Sequence, residues 1–287
     1  MYRLCVIGDP VAHSRSPAIH TALLRQRGLE GIYTTVTVRE GELEAFVAEA
    51  RRGKWDGFNV TMPHKTAAAA LCERLSPAAR ICGAVNTVVN ELRGEKIDII
   101  NWDDNPAYLI EGYMRSAREA GFQPEGKRMV QLGAGGAGTA VLVQAALDGM
   151  AAIDVFNPRD AFWPRAERVA AELERASQCR VVLHDLDDRE ALRTCLGQAD
   201  LLVNTTPVGM ERMPGCLIPD ASWLHAGLTV SDVIYQPRET QLLRMAREAG
   251  LKTFNGMYML LHQGAASFRL WTGREMPIQQ IREKYFQ

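Results

Sequence analysis

The sequence of 287 residues lacks the features that mark several large classes of protein. Its six cysteines include no Cys-x-x-Cys pair and its six histidines no His-Glu-x-x-His spacing, so we expect neither a disulfide framework nor a metal site. No apolar run is long enough to cross a bilayer, and the one at residues 4–8 is too short for a signal peptide. We therefore expect a cytoplasmic protein with no membrane contact.

The chain also lacks an excess of charge of either sign. Its 33 lysines and arginines against 34 aspartates and glutamates give a net charge of -1, which provides no field to attract nucleic acid. A hydrophobic content of 47% is ordinary for a globular protein, and the length suffices for two domains. The composition favours an enzyme with a small-molecule partner and leaves monomer and homodimer open.

Short apolar strands alternate with helices along most of the chain. In the first part we predict strands at 4–8, 33–38 and 57–61, a helix with Ser16 as N-cap ending near Arg27, and a helix over 42–52. From about Lys127 the strands are almost continuously apolar, which is typical of a parallel sheet covered by helices on both faces. We predict an α/β protein with a first domain over 1–105, a doubly wound Rossmann-type domain over 106–256, and a C-terminal segment, 257–287, that packs back on the first domain.

A glycine-rich turn lies at residues 133–138, which read GAGGAG between a predicted strand and a predicted helix. The pattern Gly-x-Gly-x-x-Gly lets the backbone approach a pyrophosphate at the N-terminus of a helix. The residues that we expect to hold the phosphates are Gly133, Ala134, Gly135, Gly136 and Ala137. The alternative is a tight turn without a ligand.

The choice of cofactor depends on the end of the strand that follows this turn. Asp154 lies inside that strand, whereas residues 157–160, which read NPRD, form its tip. A carboxylate at Asp160 can accept hydrogen bonds from the ribose hydroxyls and repels a 2′-phosphate, but the guanidinium of Arg159 suits a phosphate. We favour NAD, with NADP as the alternative. Asp160 could also simply cap the following helix.

A lysine and an aspartate that are distant in sequence form the candidate catalytic pair. Lys65 ends the segment NVTMPHK at 59–65, and Asp103 follows the apolar run near residue 100. A lysine whose pKa is lowered by burial can exchange a proton with a substrate hydroxyl, and a carboxylate can orient that hydroxyl. Taken singly, each residue would be an ordinary surface charge or turn residue. Neighbouring polar residues favour the pair, because a buried polar cluster needs partners: Asn59, Thr61, Asn86, Thr87 and Asn101.

Ser14 and Ser16 flank Arg15 at the predicted start of the first helix. Two hydroxyl groups beside free backbone N–H groups can bind a substrate carboxylate. A plain N-cap role for Ser16 is compatible with that function.

Together with further segments, these motifs resemble the shikimate dehydrogenase family over nearly the whole chain. The matching segments are GDP at 8–10, HSRSP at 13–17, GFNVTMPHK at 57–65, GAVNT at 83–87, the glycine turn, NTTPVGM at 204–210, DVIYQP at 232–237, GMYMLLHQGA at 256–265 and LWTG at 270–273. The segment NPRDAF at 157–162 is similar to the NAD-using quinate/shikimate dehydrogenase branch.

The resemblance implies reversible hydride transfer between NAD(P) and a ring hydroxyl of shikimate, quinate or a related acid, in a cleft between two domains. It implies Lys65 and Asp103 as the catalytic pair. The substrate ligands that it implies are Ser14, Ser16, Thr61, Asn86, Tyr235 and Gln263. Beyond the glycine turn, the expected cofactor contacts are Asn157, Arg159, Asp160, Thr205, Gly256 and Met259.

One segment departs from the family pattern. Residues 101–104 read NWDD where the family usually has Asn-Thr-Asp-Gly, so Trp102 replaces a small hydroxyl residue beside Asp103. An indole that points into the cleft would reduce its volume, and one that points away would be a core or hinge aromatic. This departure motivates a second hypothesis, a catalytically weak paralogue that senses a dinucleotide or metabolite. A two-domain dehydrogenase acting on folate carriers is a third, which the segments around Ser14 and Asn86 fit poorly.

Overall fold

The computed structural model describes residues 1–90, 97–98 and 108–285. The strands are β1 Tyr2–Gly8, β2 Gly31–Thr37, β3 Gly57–Val60, β4 Thr87–Asn90, β5 Ile97–Asp98, β6 Arg128–Leu132, β7 Ala152–Asn157, β8 Arg180–Asp185, β9 Leu201–Asn204, β10 Thr229–Asp232 and β11 Lys252–Asn255. The helices are α1 Ser16–Gln26, α2 Leu43–Arg51, α3 Lys65–Ala70, α4 Pro77–Cys82, α5 Tyr108–Glu119, α6 Gly136–Leu147, α7 Trp163–Ala176, α8 Arg189–Leu196, α9 Gln241–Glu248, α10 Met257–Thr272 and α11 Ile278–Tyr285. Within the described parts of the chain, no helix is both long and apolar enough to cross a membrane.

The chain divides into two compact units. Unit 1 comprises Met1–Leu109 with Leu261–Gln287, and unit 2 comprises Ile110–Leu260. The chain passes from one unit to the other inside α5 and inside α10. The predicted changes of domain, after residues 105 and 256, lie shortly before these two helices.

Unit 1 contains a mixed sheet in the order β2-β1-β3-β4-β5. β1 is parallel to β2 and β3, whereas β4 is antiparallel to both of its neighbours. Alternate residues of β1 enter two different apolar clusters: Cys5 and Ile7 pack with Phe58 on one face, and Leu4 and Val6 pack with Trp271 on the other. Because side chains alternate along a strand, a strand covered on both faces reads as a continuous apolar run.

Unit 2 contains a six-stranded sheet in the order β11-β10-β9-β6-β7-β8, and every pairing in it is parallel. The chain starts in the middle at β6, proceeds outward to β8, and then crosses back to β9 on the other side of β6. This reversal makes the carboxyl ends of β6 and β9 the topological switch point, where doubly wound sheets bind ligands. The predicted α/β fold with a doubly wound Rossmann-type sheet is confirmed.

Two predicted helix starts were wrong. Ser16 is the first residue of α1 rather than its N-cap, and no side chain caps that helix; instead, the backbone N–H of Ser16 donates to Ser14 Oγ at 3.3 Å. The helix after the glycine turn, which the sequence predicts over 139–147, begins at Gly136 as α6, because Gly135 already serves as its extended N-cap and accepts from the Thr139 N–H at 2.8 Å. The glycine turn is therefore continuous with the helix.

Candidate functional site

The loop that carries Lys65 is anchored to the sheet of unit 1 at both ends. Where β3 ends, the Thr61 N–H donates to the Ile7 carbonyl at 2.9 Å, and at the start of α3 the Lys65 carbonyl accepts from the Val85 N–H at 2.9 Å. Between them, His64 is buried and its Nε2 lies 2.6 Å from the Val38 carbonyl. Burial lowers the pKa of the Lys65 ammonium below its ordinary value. The lysine is thus held in place and shifted toward the neutral form that accepts a proton.

Asn86 lies beside this loop with an unused hydrogen-bond donor. Its backbone carbonyl accepts from the Val60 N–H at 2.8 Å, and its side chain is 7% exposed. The Oδ1 atom accepts from the Thr87 hydroxyl at 3.1 Å, whereas Nδ2 is buried without a partner in the described part of the chain. Because an unsatisfied buried amide costs about 1–3 kcal/mol, Asn86 has a donor to offer to an acceptor from elsewhere, such as a hydroxyl oxygen.

A buried set of hydrogen-bonded side chains, the polar cluster, holds Asn86 in place through Thr87. Its members are Tyr33, Asn59, Thr87 and Ser267. The Tyr33 hydroxyl donates to Asn59 Oδ1 at 2.6 Å, and Asn59 Nδ2 lies 3.0 Å from both Thr87 Oγ1 and Ser267 Oγ. Asn59 therefore uses both of its polar atoms inside the protein and has a structural role.

Three of the predicted substrate ligands border the polar cluster. The Ser16 side chain hydrogen-bonds with Tyr33, and Asn86 bonds with Thr87. Gln263 lies one turn before Ser267 in α10, on the same side of that helix. Thr61 is half-buried at the lysine loop, where its methyl group would lie 2.4 Å from a Cβ on Gly8.

Asp103, together with Asn101 and Trp102, lies outside the described residues. Tyr235 belongs to unit 2, where its side chain is 49% exposed.

The glycine turn of unit 2 is held by backbone groups and by two side chains. Gly133 has φ of 95°, a left-handed conformation that favours glycine, and its N–H donates to the Phe156 carbonyl at 2.8 Å. The Ala134 N–H donates to Asn157 Oδ1 at 2.8 Å. The Thr205 hydroxyl lies 2.8 Å from the Leu132 carbonyl and 2.9 Å from the Gly133 carbonyl, so this predicted cofactor residue holds the turn.

Three glycines of the turn differ in the space around them. A Cβ on Gly138 would lie 2.5 Å from the Gly133 carbonyl oxygen and 2.6 Å from Thr205 Oγ1, so glycine is required for α6 to approach β6. A Cβ on Gly135 or Gly136 would meet nothing within 4 Å. Because the first N–H groups of a helix have no partner within it, the start of α6 presents donors and a positive dipole end on an open side. The geometry suits the phosphates of a dinucleotide.

The tip of β7 is organised around Asn157 and Asp160. Asp160 Oδ1 accepts from the Phe162 N–H at 2.9 Å and from Asn157 Nδ2 at 3.1 Å. This contact closes a turn before α7 and does not cap the helix, whose N-cap position is Phe162. Arg159 lies 3.3 Å from Asp185 Oδ2, with its guanidinium 4.4 Å from the centre of the Trp163 ring. Asp154 lies within β7, as predicted, and is bound to His184.

Gly256 and Met259 lie at close backbone contacts in unit 2. A Cβ on Gly256 would be 1.9 Å from the Val233 carbonyl oxygen, and the Met259 carbonyl oxygen lies 2.4 Å from where Gly112 would carry one. Neither contact leaves room for a side chain, which explains why residues 256 and 112 are glycines.

Family models and curated relatives match this chain. Residues 6–88 match the shikimate dehydrogenase substrate binding domain, and residues 256–284 match the shikimate 5'-dehydrogenase C-terminal domain. The chain is 40% identical over 285 residues to the shikimate dehydrogenase (NADP(+)) of Listeria monocytogenes, a match that covers 98% of this chain and 94% of the relative. The chain belongs to the shikimate dehydrogenase family. The predictions of this family and of an oxidoreductase are thereby confirmed.

Both named activities of the family occur among the similar proteins. A quinate/shikimate dehydrogenase of Escherichia coli is 38% identical over 278 residues, covering 96% of this chain and 93% of the relative. A crystal structure of shikimate 5-dehydrogenase from Listeria monocytogenes with shikimate and NAD has a TM-score of 0.92 at 38% identity, covering 99% of this chain and 96% of that one. Quinate dehydrogenase from Corynebacterium glutamicum with NAD has a TM-score of 0.86 at 30% identity, covering 99% and 98%.

Asp232, for which the sequence predicts no role, lies at the centre of a hydrogen-bond network. It accepts from the Ile234 N–H at 3.0 Å, Asn204 Nδ2 at 3.1 Å and the Thr240 hydroxyl at 2.9 Å. Burial raises its pKa to about 6. The carboxylate ties the carboxyl ends of β9 and β10 together beside the switch point. Its sequence signal is a lone acidic residue at the end of an apolar strand.

Proposed function

We propose that this protein catalyses reversible hydride transfer between NAD and a ring hydroxyl of shikimate, quinate or a related hydroxylated ring carboxylate. The observation that carries the proposal is the backbone hydrogen bond from Val85 to Lys65, which joins the segment of Lys65, whose pKa burial lowers, to the segment of Asn86, whose amide is buried without a partner in the described part of the chain. A proton acceptor and a hydrogen-bond donor on adjoining segments suit the recognition and activation of an alcohol. Membership of the family supplies the reaction class.

The predicted catalytic and substrate-binding residues of unit 1 each have a distinct task in this proposal. Lys65 accepts the hydroxyl proton as the hydride leaves the carbinol carbon, and returns it in the reverse direction. Asn86 donates to a ring hydroxyl, while Thr61 and Gln263 bind other hydroxyls. Ser14 and Ser16, at the start of α1, hold the substrate carboxylate together with Tyr235. Asp103 orients the reacting hydroxyl beside Lys65.

Unit 2 supplies the dinucleotide site in this proposal. The glycine turn and the start of α6 would hold the pyrophosphate, with Asn157, Arg159 and Asp160 at the adenosine end and Gly256 and Met259 beside the nicotinamide. When bound, the nicotinamide ring accepts or returns the hydride. The match of residues 6–88 to a substrate binding domain supports this division of labour.

The charges at the tip of β7 support NAD rather than NADP. Arg159 is already paired with Asp185 and stacked on Trp163, and Asp160 adds a second carboxylate close by. Two carboxylates around one engaged arginine disfavour a 2′-phosphate. Among similar proteins, one from Listeria monocytogenes is named for NADP(+) and a crystal structure from that species contains NAD. We also propose that the enzyme works in the cytoplasm, since its six cysteines are free.

A panel of ring acids tests the proposal. The purified protein is incubated with shikimate or quinate and with NAD or NADP, and the absorbance of the reduced cofactor is followed. We expect turnover of at least one acid, with the larger kcat/KM for NAD. Absence of turnover with every combination, accompanied by dinucleotide binding in calorimetry, would instead support the sensor hypothesis.

The variant Trp102→Thr, measured on the same panel, tests the departure at residues 101–104. A gain of activity on shikimate relative to quinate would show that the indole restricts the substrate pocket. Unchanged ratios between the acids would show that Trp102 does not contact the substrate.

A further inference from the structure

Three side chains with metal-binding atoms meet on one face of the sheet in unit 2. Asp154, His184 and Cys195 each offer one ligand atom, and these atoms all lie within 4.8 Å of one another. They come from three elements, β7, β8 and α8, so their spacing in the sequence does not predict that they meet. This group, the Asp-His-Cys cluster, is separate from the glycine turn and from the tip of β7.

The pairing of β7 with β8 and the packing of α8 on them bring these three residues together. β7 and β8 are parallel with Phe156 opposite His184, and the two rings stack with centroids 4.6 Å apart. Asp154 is two residues before Phe156 and therefore projects from the same face. α8 covers this face, because its Leu192 and Leu196 share an apolar cluster with Phe156 and its Cys195 packs against that cluster.

Within the cluster, two donors converge on one carboxylate. His184 Nε2 lies 2.9 Å from Asp154 Oδ1, and the Cys195 thiol hydrogen-bonds to the same side chain. Asp154 and His184 are only 13% and 22% exposed. Imidazole, thiolate and carboxylate are the ligands of zinc sites, whose bonds of about 2.0–2.3 Å set tetrahedral ligand atoms roughly 3.3–3.8 Å apart. The cluster reaches that geometry with side-chain shifts of the order of 1 Å.

We propose that the Asp-His-Cys cluster binds one thiophilic divalent cation, Zn²⁺ by preference, with water as the fourth ligand. On binding, the thiol proton leaves to solvent and the imidazole proton moves from Nε2 to Nδ1, so that sulfur and nitrogen lone pairs face the metal. The ion would crosslink β7, β8 and α8 behind the strand whose tip we assign to the cofactor. It has no part in hydride transfer.

One neighbouring cation opposes this site. Arg128 Nη2 lies 3.9 Å from Asp154 Oδ2. Its side chain is 44% exposed, so it can turn toward solvent when a metal takes its place on the carboxylate. The two negative charges of the Cys195 thiolate and the Asp154 carboxylate attract a divalent cation more strongly than the single positive charge of Arg128 repels it.

Cobalt titration tests the proposal, since Co²⁺ substitutes for Zn²⁺ in such sites and reports a thiolate ligand by a charge-transfer absorption band. Untagged full-length protein is stripped with a chelator and titrated with Co²⁺, then back-titrated with Zn²⁺. We expect one equivalent to produce the band and Zn²⁺ to abolish it. Cys195→Ser should lose the band, His184→Asn should weaken affinity at least roughly tenfold, and the control Cys216→Ser should behave as wild type.

Alkylation of the wild-type protein provides a second readout that needs no variant to fold. Zn²⁺ should slow the reaction of Cys195 with iodoacetamide at least roughly tenfold relative to Cys216, as followed by peptide mass spectrometry. A cobalt band that survives in Cys195→Ser, the absence of any band in wild type, or equal alkylation of Cys195 with and without Zn²⁺ would each overturn the proposal.

Discussion

The two candidate sites are built in opposite ways. In unit 1, the polar cluster holds Asn86 in place through hydrogen bonds between buried side chains. Within the cluster, Asn59 hydrogen-bonds with all three of Tyr33, Thr87 and Ser267. In unit 2, the glycine turn is shaped mainly by backbone conformation and by the absence of Cβ atoms. In the proposed function, the first site would select its ligand by side-chain identity, whereas the second presents backbone donors that suit any phosphate group.

This difference predicts where each site is vulnerable. Side chains in the polar cluster that are fully paired carry stability, whereas neighbours with an unused polar atom carry binding. In the glycine turn, the equivalent division is between glycines that are packed against backbone and glycines that face open space. In each site, a substitution at a residue of one kind should therefore have a different effect from a substitution at a residue of the other kind.

Lys65→Ala should have the largest effect on activity. Removal of a general acid–base group lowers kcat by roughly 10²–10⁴-fold, whereas cofactor affinity in calorimetry should be unchanged. Lys54 is the matched control, because it is an exposed lysine of unit 1 paired with Glu49, and Lys54→Ala should retain wild-type kcat. Equal losses in both variants would remove Lys65 from the chemistry.

The pH profile of the wild type sharpens this prediction. Burial lowers the pKa of Lys65, and alcohol oxidation needs its neutral form. The rate of oxidation should therefore rise with pH and level off below the ordinary lysine pKa of about 10.4. Lys65→Arg, which stays charged, should lose this rise. A rise that persists in the arginine variant would assign it to another group.

Asn59→Ala should have the largest effect on stability. It removes the partner of the Tyr33 hydroxyl and one partner each of Thr87 and Ser267, which should lower the free energy of unfolding by roughly 2–4 kcal/mol in urea. Asn86→Ala removes only the acceptor of the Thr87 hydroxyl, so the free energy of unfolding should fall by about 0.5–1.5 kcal/mol. The KM for the ring acid should rise as well. Equal stability losses with an unchanged KM for Asn86→Ala would contradict the division between the two residues.

These two asparagines also show how far the sequence could predict the site. Both are polar residues beside apolar strands, and the pattern marks both for burial without telling which one keeps a free donor. That distinction depends on Ser267, more than two hundred residues from Asn59, and only the folded helix α10 brings it there. The Asp-His-Cys cluster escaped prediction for the same reason, since its residues meet through the register of β7 and β8.

Strands and the glycine turn were more accessible to prediction, because they depend on local pattern. A parallel sheet covered on both faces needs apolar runs, and the tight turn after β6 needs a glycine at φ of 95°. Short helices such as α3 and α4 were not predicted individually, because six residues are too few for a helical period to stand out. The N-cap assignment of Ser16 failed because the helix already includes Ser16, whose side chain hydrogen-bonds with Tyr33.

Gly138→Ala should destabilise unit 2, whereas Gly136→Ala should not. The added methyl at Gly138 clashes with the Gly133 carbonyl and Thr205 Oγ1, which forces α6 away from β6 at a cost of roughly 1–3 kcal/mol. At Gly136 the methyl meets no protein atom, so unfolding should be unchanged while the Kd for NAD rises, since the methyl occupies the phosphate side. Urea unfolding and calorimetry measure both quantities. Unchanged NAD affinity in Gly136→Ala would show that the phosphates bind elsewhere.

Asp160→Asn should have the smallest effect, confined to the choice of cofactor. The amide keeps an acceptor for the Phe162 N–H, so the turn survives, but the charge that repels a 2′-phosphate is removed. We expect the ratio of kcat/KM for NADP to that for NAD to rise by about 5–10-fold, equivalent to roughly 1–1.4 kcal/mol. Arg159→Gln should lower the same ratio, because it removes the cation that could pair with the phosphate. If both substitutions shift the ratio in one direction, the tip of β7 acts through its backbone geometry, as the glycine turn does, and not through these charges.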